Sequence, residues 1–220
     1  MNIIDVIIIL MILCAGVVGF KRGFFNQLVM TVGLLLVYII SFKLKNPIAN
    51  WMSLNLPFFN LGGLTSLNIV LYQAIAFVIV FSIVMIIFRI ILKLTGLIEK
   101  ILKFTIILGI PSKILGFILG LVEGYIIMFI AVFIISQPFV NLDIVNESKY
   151  REPILNSSPL LSNVVSSTND AIKDIYKVQK NYLDSKNSDE YNEEVIRILL
   201  QYDVVSNDYI DRLEESGKIK

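Results

Sequence analysis

Long apolar runs dominate the first 140 residues and predict helices that cross a membrane. A helix needs roughly 20 apolar residues, at about 1.5 Å per residue, to cross a hydrocarbon core of about 30 Å. Four runs have this length, at about residues 3–20, 24–42, 67–88 and 114–136. The pattern therefore predicts an all-α membrane protein with four transmembrane helices.

Two connecting segments carry patterns of their own. Residues 93–110 are too charged to span, but their apolar side chains recur at i, i+3 and i+4. This pattern predicts an amphipathic helix at the membrane interface, with a cytoplasmic extension of the third span as the alternative.

Residues 46–66 are uncharged and contain Trp51, Phe58 and Phe59. We expect a loop anchored at the interface, and a re-entrant loop is the alternative.

Beyond residue 140 the sequence becomes polar, so we predict a membrane part at 1–140 and a helical extramembrane tail at 141–220. Apolar periodicity and capping residues predict three tail helices, at residues 160–183, 190–202 and from Ser206 or Asn207 to Leu213, with Gly217 as a stop. Three short helices bury only a thin core, so we expect the tail to dock on the membrane part or on a partner.

The overall composition hides a division of charge. The chain is 56% hydrophobic and 17% charged with a net charge of +1, whereas soluble domains have about 45–50% and 25%. Residues 1–140 hold nine Lys or Arg and three acids, and residues 141–220 hold ten and fifteen. A basic membrane part therefore precedes an acidic tail.

The same charges predict an orientation, because Lys and Arg accumulate in cytoplasmic loops. Seven of them lie in the loops at 21–23 and 89–113, and four lie on the opposite side. We expect both loops in the cytoplasm and both termini outside it. The first run lacks a basic residue before it and a cleavage pattern, so we expect a retained span rather than a signal peptide.

The chain contains no His and one Cys. His-dependent catalysis, His-ligated zinc or haem and an internal disulfide are therefore excluded. Nucleotide-binding loops, paired catalytic carboxylates and metal-ligand clusters do not emerge either. We predict no enzyme activity, no cofactor and no metal, and we ascribe the basic loops to membrane orientation rather than to nucleic-acid binding.

Glu123 lies inside the fourth run, where an ionised carboxylate is expensive. Gly116, Gly120 and Gly124 recur there every four residues, a spacing that lets another helix backbone approach closely. Glu123 falls near this seam on the helical wheel. We predict a hydrogen-bonded packing group, with an ion or proton site, or a carboxylate facing a water-filled vestibule, as the alternatives.

The first run supplies a partner for this seam, since Gly19 and Gly23 continue a four-residue spacing of small residues. Asp5 begins that run, where an acid suits a helix N-terminus, with ligand binding as the alternative. Gln73 and Tyr38 are further polar residues inside the predicted spans. We expect them to form interhelical hydrogen bonds rather than substrate contacts.

Two motifs resemble the colicin V production protein (CvpA) family. The first hairpin contains Asp5-Val-Ile-Ile-Ile-Leu and then Gly19-Phe20-Lys21-Arg22-Gly23-Phe24, and the fourth run contains the glycine repeat with Glu123. The resemblance covers roughly residues 1–150. It implies a small multi-pass protein of the bacterial inner membrane, linked by family name to colicin V production and export and more broadly to envelope homeostasis.

These features support competing functions. The first is a non-enzymatic scaffold that oligomerises or docks another membrane protein through the glycine seam and presents the acidic tail. The second is a small oligomeric channel or transporter that uses Glu123. An enzyme acting on lipid or cell-wall precursors ranks third. The expected partners are the lipid bilayer and either a second copy or another membrane protein, and not nucleic acid.

Overall fold

The structure is a computed structural model that describes residues 2–137, 140, 147–156, 159–185 and 187–219, without the side chains of 97–108, 159, 160 and 183–185. Every regular element among the described residues is an α-helix, which confirms the predicted fold class. Four helices are long and apolar enough to cross a membrane, Ile3–Arg22, Phe24–Asn55, Leu67–Leu94 and Gly109–Ile135.

The helices are numbered here in chain order. They are α1 (Ile3–Arg22), α2 (Phe24–Asn55), α3 (Leu67–Leu94), α4 (Leu97–Ile135), α5 (Arg151–Asn156), α6 (Pro159–Ser185), α7 (Ser188–Gln201) and α8 (Asn207–Glu215). The three predicted tail helices correspond to α6, α7 and α8. Their caps agree with the sequence, because the Ser206 side chain accepts the Tyr209 N–H and Gly217 follows the last helix with φ 68°.

α4 contains the segment predicted to lie at the interface. It begins after Gly96, which has φ 60°, and it is kinked at Gly109, which has φ 54° and ψ −132°. Both glycines adopt the positive φ that other residues rarely take. A separate helical segment therefore precedes the fourth span, as predicted. The side chains that decide which of its faces meets the membrane lie outside the described residues.

α2 is longer than the apolar pattern predicts, since it continues through Pro47 as far as Asn55 where a loop is expected. The reason is packing, because Ala49 and Met52, three positions apart on one helix face, are buried against Tyr72. This contact offsets the backbone hydrogen bond that proline cannot donate. The end of the apolar run at residue 42 therefore does not mark the end of the helix.

The remaining connection between α2 and α3 carries aromatic residues in two environments. Trp51, at the end of α2, and Phe59 are exposed, which suits anchoring at an interface. Phe58 instead packs on Tyr72, with ring centroids 6.1 Å apart. The Nζ of Lys218 lies 5.2 Å from the centroid of the Phe58 ring. One of the three predicted anchors is thus partly buried against the core.

The chain divides into two compact units. The first contains Met1–Ser41, Val80–Ser136 and Leu142–Ser162, and the second contains Phe42–Ile79, Gln137–Asn141 and Asn163–Lys220. The second unit thus combines most of the tail with the connection between α2 and α3. The boundary at residue 140, drawn from composition, remains a prediction about membrane and extramembrane parts.

The core of the second unit is built by the tail helices together with the α2–α3 connection and the start of α3. Its buried apolar side chains include Leu64, Leu67, Ile69, Ala171, Ile175, Val195, Leu199 and Leu213. Ser66 donates its N–H and hydroxyl to Oδ1 of Asn192 at 3.1 and 2.9 Å. The thin core of three short helices is thus completed by other segments of the same chain.

Candidate functional site

The glycine seam joins α1 and α4 in the first unit. A Cβ atom added at Gly19 would lie 2.8 Å from Cα of Gly120, and one added at Gly116 would lie 2.9 Å from Cα of Gly23. Gly124 likewise faces α1, where its added Cβ would contact backbone and side-chain atoms. All five glycines singled out from the sequence therefore meet along one helix pair. Backbone approach this close requires residues without side chains.

Glu123 is held beside this seam by groups from two other helices. The amide nitrogen of Gln27 donates a hydrogen bond to Oε2 of Glu123, and Nη1 of Arg22 lies 3.4 Å from the same oxygen. The side chain of Glu123 is only 12% exposed, whereas that of Arg22 is 36% exposed. A carboxylate at this depth is tolerated because a cation and a donor amide compensate its charge.

A tight connection between α1 and α2 positions these partners. Arg22 ends α1, Gly23 follows with φ 76°, and α2 begins at once. The N–H of Phe24 donates to Oγ of Ser112 at 3.1 Å, which holds the start of α2 on α4. Arg22 and Gln27 are therefore brought to the same carboxylate from opposite sides of a turn. In the sequence, Arg22 counts as a loop cation and as part of the first-hairpin motif, and neither role predicts its contact with Glu123. The sequence does not single out Gln27.

Two cavities flank the Arg22–Glu123 pair. Both are open on one side. One has a volume of about 260 Å³ beside α1 and is lined by Met11 and Cys14, and the other has a volume of about 400 Å³ among α1, α2, α3 and α4. Both cavities are lined by Arg22 and Glu123. The ion pair thus contributes to the walls of both spaces.

Asp5 lies at the other end of α1 and is not brought near Glu123. It forms a reciprocal capping box with Asn2, whose side chain accepts the Asp5 N–H at 3.1 Å. The Ser148 hydroxyl donates to Oδ1 of Asp5 at 2.7 Å, and the Tyr150 N–H donates to it at 3.4 Å. This buried carboxylate therefore caps α1 and ties it to the segment after α4, which is the arrangement of a structural group.

The other polar groups at depth also form hydrogen bonds between segments. The hydroxyl of Tyr38 donates to the carbonyl of Leu161 at 3.1 Å. Gln73 accepts a hydrogen bond from Nζ of Lys45, which also donates to the Asn46 side chain at 3.1 Å. Lys45 is buried, although its position after the second apolar run predicts a cation in a loop. Gln73, the amide partner of Lys45, lies on α3, so the contact is not visible when charges are counted loop by loop.

The second unit presents acidic clefts on both sides of α7. A cleft of about 480 Å³ is lined by Asp189, Glu193 and Ile196 of α7, together with residues of the α2–α3 connection and the segment after α8, which includes Lys218. The Nζ of Lys218 donates a hydrogen bond to the Leu56 carbonyl, so the two carboxylates outnumber this one cation. A smaller cleft of about 220 Å³ on the other side is lined by residues that include Tyr182 and Glu190. Carboxylates beside apolar side chains provide both charge and contact area for a basic, partly apolar segment.

The Asp174 carboxylate links two segments of the second unit through hydrogen bonds. Lys177 and Tyr202 each donate to Asp174 at 2.7 Å. The hydrogen bond from Lys177, followed by that from Tyr202, holds the pKa of the Asp174 carboxyl below its ordinary value. The contact joins α6 to the residue that follows α7.

Among the described residues, no group of three or more Cys, Asp or Glu side chains is placed to hold a metal ion.

The fold and these sites define a four-span helical membrane protein with a compensated ion pair beside a glycine seam. The chain belongs to the colicin V production protein family, whose family model matches residues 4–159. This match confirms the resemblance of the first hairpin and the glycine repeat, and it covers all four spans. The protein is therefore a multi-pass membrane protein linked through its family to colicin V production. The comparisons with curated proteins and with solved structures gave no match.

Proposed function

We propose that the protein is a non-enzymatic scaffold of the bacterial inner membrane that docks a partner on its acidic helical unit. The observation that carries the proposal is the pair of clefts along α7, where Asp189, Glu190 and Glu193 are exposed beside apolar side chains. The fitting partner is a basic segment of another membrane protein or of a second copy. The four spans anchor this surface in the membrane.

The first unit supports a fixed anchor rather than a free docking seam. Gly116 and Gly120 pack against α1 of the same chain, and the Glu123 charge is compensated by Arg22 within one copy. Self-association, which we retain in the proposal, therefore uses a surface other than the glycine seam. The outward apolar face of α1, with Ile7 and Leu10 exposed, is available to lipid or to a second copy.

Reversing charge in the larger cleft is expected to lower partner association. We expect chemical crosslinking of the full chain in membranes to fall about fivefold or more when Asp189→Lys and Glu193→Lys are combined, because two attractive contacts become repulsive. The control combines Asp211→Lys and Glu215→Lys, the same charge change on exposed positions of α8. Equal losses in both variants, or a loss in neither, would contradict docking in this cleft.

We also propose that both termini lie outside the cytoplasm, which rests on the excess of Lys and Arg in the loops after α1 and α3. A reporter enzyme that is active only outside the cytoplasm, fused after Lys220, is expected to be active. A reporter that works only in the cytoplasm, fused at the same position, is expected to be silent. The reverse pattern would place the acidic unit in the cytoplasm and overturn this part of the proposal.

A second candidate function is a small oligomeric channel or transporter that uses Glu123. The observation that favours it is that Arg22 and Glu123, a charged pair within the spans, line two separate cavities. Four spans rarely enclose a path alone, so this candidate requires an oligomer. It also requires flux across reconstituted vesicles to depend on the Glu123 charge.

A further inference from the structure

The larger cavity of the first unit combines an apolar wall with two arginine side chains. Arg22 and Arg89 line it near the C-terminal ends of α1 and α3, and Met30, Phe81 and Met85 line it deeper in the spans. In a four-span chain, α1 and α3 run in the same direction, so both arginines lie toward one membrane surface. The positions from Phe81 to Arg89 correspond to about 12 Å along the helix.

The two arginines of this cavity differ in the ion pairs that they form among the described side chains. Arg22 faces Glu123 at 3.4 Å, whereas Arg89 is exposed and makes no ion pair with any residue that the structure describes. The cavity therefore presents a net positive charge at its mouth and hydrocarbon surface behind it. A guanidinium at a membrane interface binds a phosphate group with charge-assisted hydrogen bonds.

The apolar wall is fixed before any ligand arrives. Phe88 packs directly on Gly33 of α2, where an added Cβ would lie 2.6 Å from Cε1 of Phe88. α2 is held to α4 by the Thr31 hydroxyl, which donates to the Leu119 carbonyl at 3.4 Å. A cavity of about 400 Å³ with such a wall does not have to be opened by its occupant.

We propose that this cavity binds one anionic phospholipid. Its phosphate lies between Arg22 and Arg89, and one acyl chain lies along Met30, Phe81 and Met85. Basic pockets between transmembrane helices are suited to acidic headgroups. A zwitterionic lipid carries a compensating ammonium group and gains less from the two arginine charges. The site is independent of the acidic clefts, so it holds whether or not a partner docks there.

The test measures lipid binding to the purified full chain by native mass spectrometry, with phosphatidylglycerol and phosphatidylcholine titrated separately. We expect one tightly bound phosphatidylglycerol and weaker phosphatidylcholine. Arg89→Gln is expected to weaken phosphatidylglycerol binding about tenfold, because a charge-assisted contact is lost. Arg89→Lys retains the charge and is expected to stay within about threefold of the parent chain. Lys93→Gln, one turn further along α3 and outside the cavity, is the matched control.

A second variant tests the apolar part of the site. Met85→Trp fills the cavity without changing charge and is expected to weaken binding as much as Arg89→Gln does, while circular dichroism shows that the helices are retained. Binding that survives Met85→Trp would place the lipid outside the cavity and overturn the proposal. Equal weakening by Lys93→Gln would indicate a general basic surface, and displacement of the lipid by millimolar inorganic phosphate alone would indicate an anion site without an acyl chain. Either result would also overturn it.

Discussion

Replacing Gly120 by alanine is expected to lower the free energy of unfolding by about 3 kcal/mol, which is at the upper end for an overpacked interior. An added Cβ at this position would lie 2.9 Å from Cα of Gly16 and 3.1 Å from the carbonyl carbon of Ala15. These are backbone atoms that no rotamer change can move aside. α1 and α4 must therefore separate, and van der Waals packing along the whole seam weakens.

The measurement is unfolding of the full chain in mixed micelles, followed by circular dichroism. Ile118→Val on the same helix is the matched control, since Ile118 is 51% exposed on the outer face of α4 and its substitution is expected to change stability by less than about 0.5 kcal/mol. Gly120→Leu is expected to be worse than Gly120→Ala. A Gly120→Ala protein as stable as the Ile118→Val protein would show that the two helices are not packed backbone to backbone.

The seam itself could be predicted from the sequence because its signal is local. Glycines four residues apart share one helix face, and α1 and α4 each carry such a row. The same holds for the four spans, whose apolar length is fixed by membrane thickness. The tail helices were predictable for a similar reason, since Ser206 and Gly217 mark the ends of α8 in the sequence.

The partners of Glu123 could not be predicted in this way. Arg22 and Gln27 are about 100 positions from Glu123 in the chain, and only the register fixed by the glycine seam brings all three together. Arg22 also has an ordinary explanation as a loop cation, which hides its second role. A polar residue at the start of a span, such as Gln27, is common enough at an interface to carry no signal by itself.

The end of α2 shows a different limit of sequence reasoning. Pro47 and the uncharged residues after it favour a loop, and the packing of Ala49 and Met52 on Tyr72 favours a helix. A contact with the following helix cannot be inferred from the residues of the segment alone. The docking of the tail was expected from its thin core, but its contact with Ser66 required the structure.

Arg22→Gln is expected to lower the free energy of unfolding by about 2 kcal/mol, because it leaves the Glu123 carboxylate with one donor and no cation. The partner at 3.4 Å is the cation that compensates a side chain only 12% exposed. Glu123→Gln is expected to cost less than about 1 kcal/mol, since the new amide oxygen still accepts from Gln27 and no charge remains buried. The measurement is the same unfolding assay in phosphatidylcholine-containing micelles.

The two substitutions together are expected to cost no more than about 1 kcal/mol, so that removing Glu123 rescues the loss of Arg22. Lys21→Gln is the matched control, because the exposed neighbour of Arg22 carries the same charge and its loss should leave stability nearly unchanged. Additive losses in the double variant would show that the pair is not coupled.

Ion flux across vesicles containing the same Glu123→Gln protein then separates the two candidate functions. If the protein is a scaffold, the flux stays at its background value in the parent and in the Glu123→Gln protein. If it is a channel or transporter, the parent conducts and the Glu123→Gln protein does not, because the amide preserves the packing but not the charge.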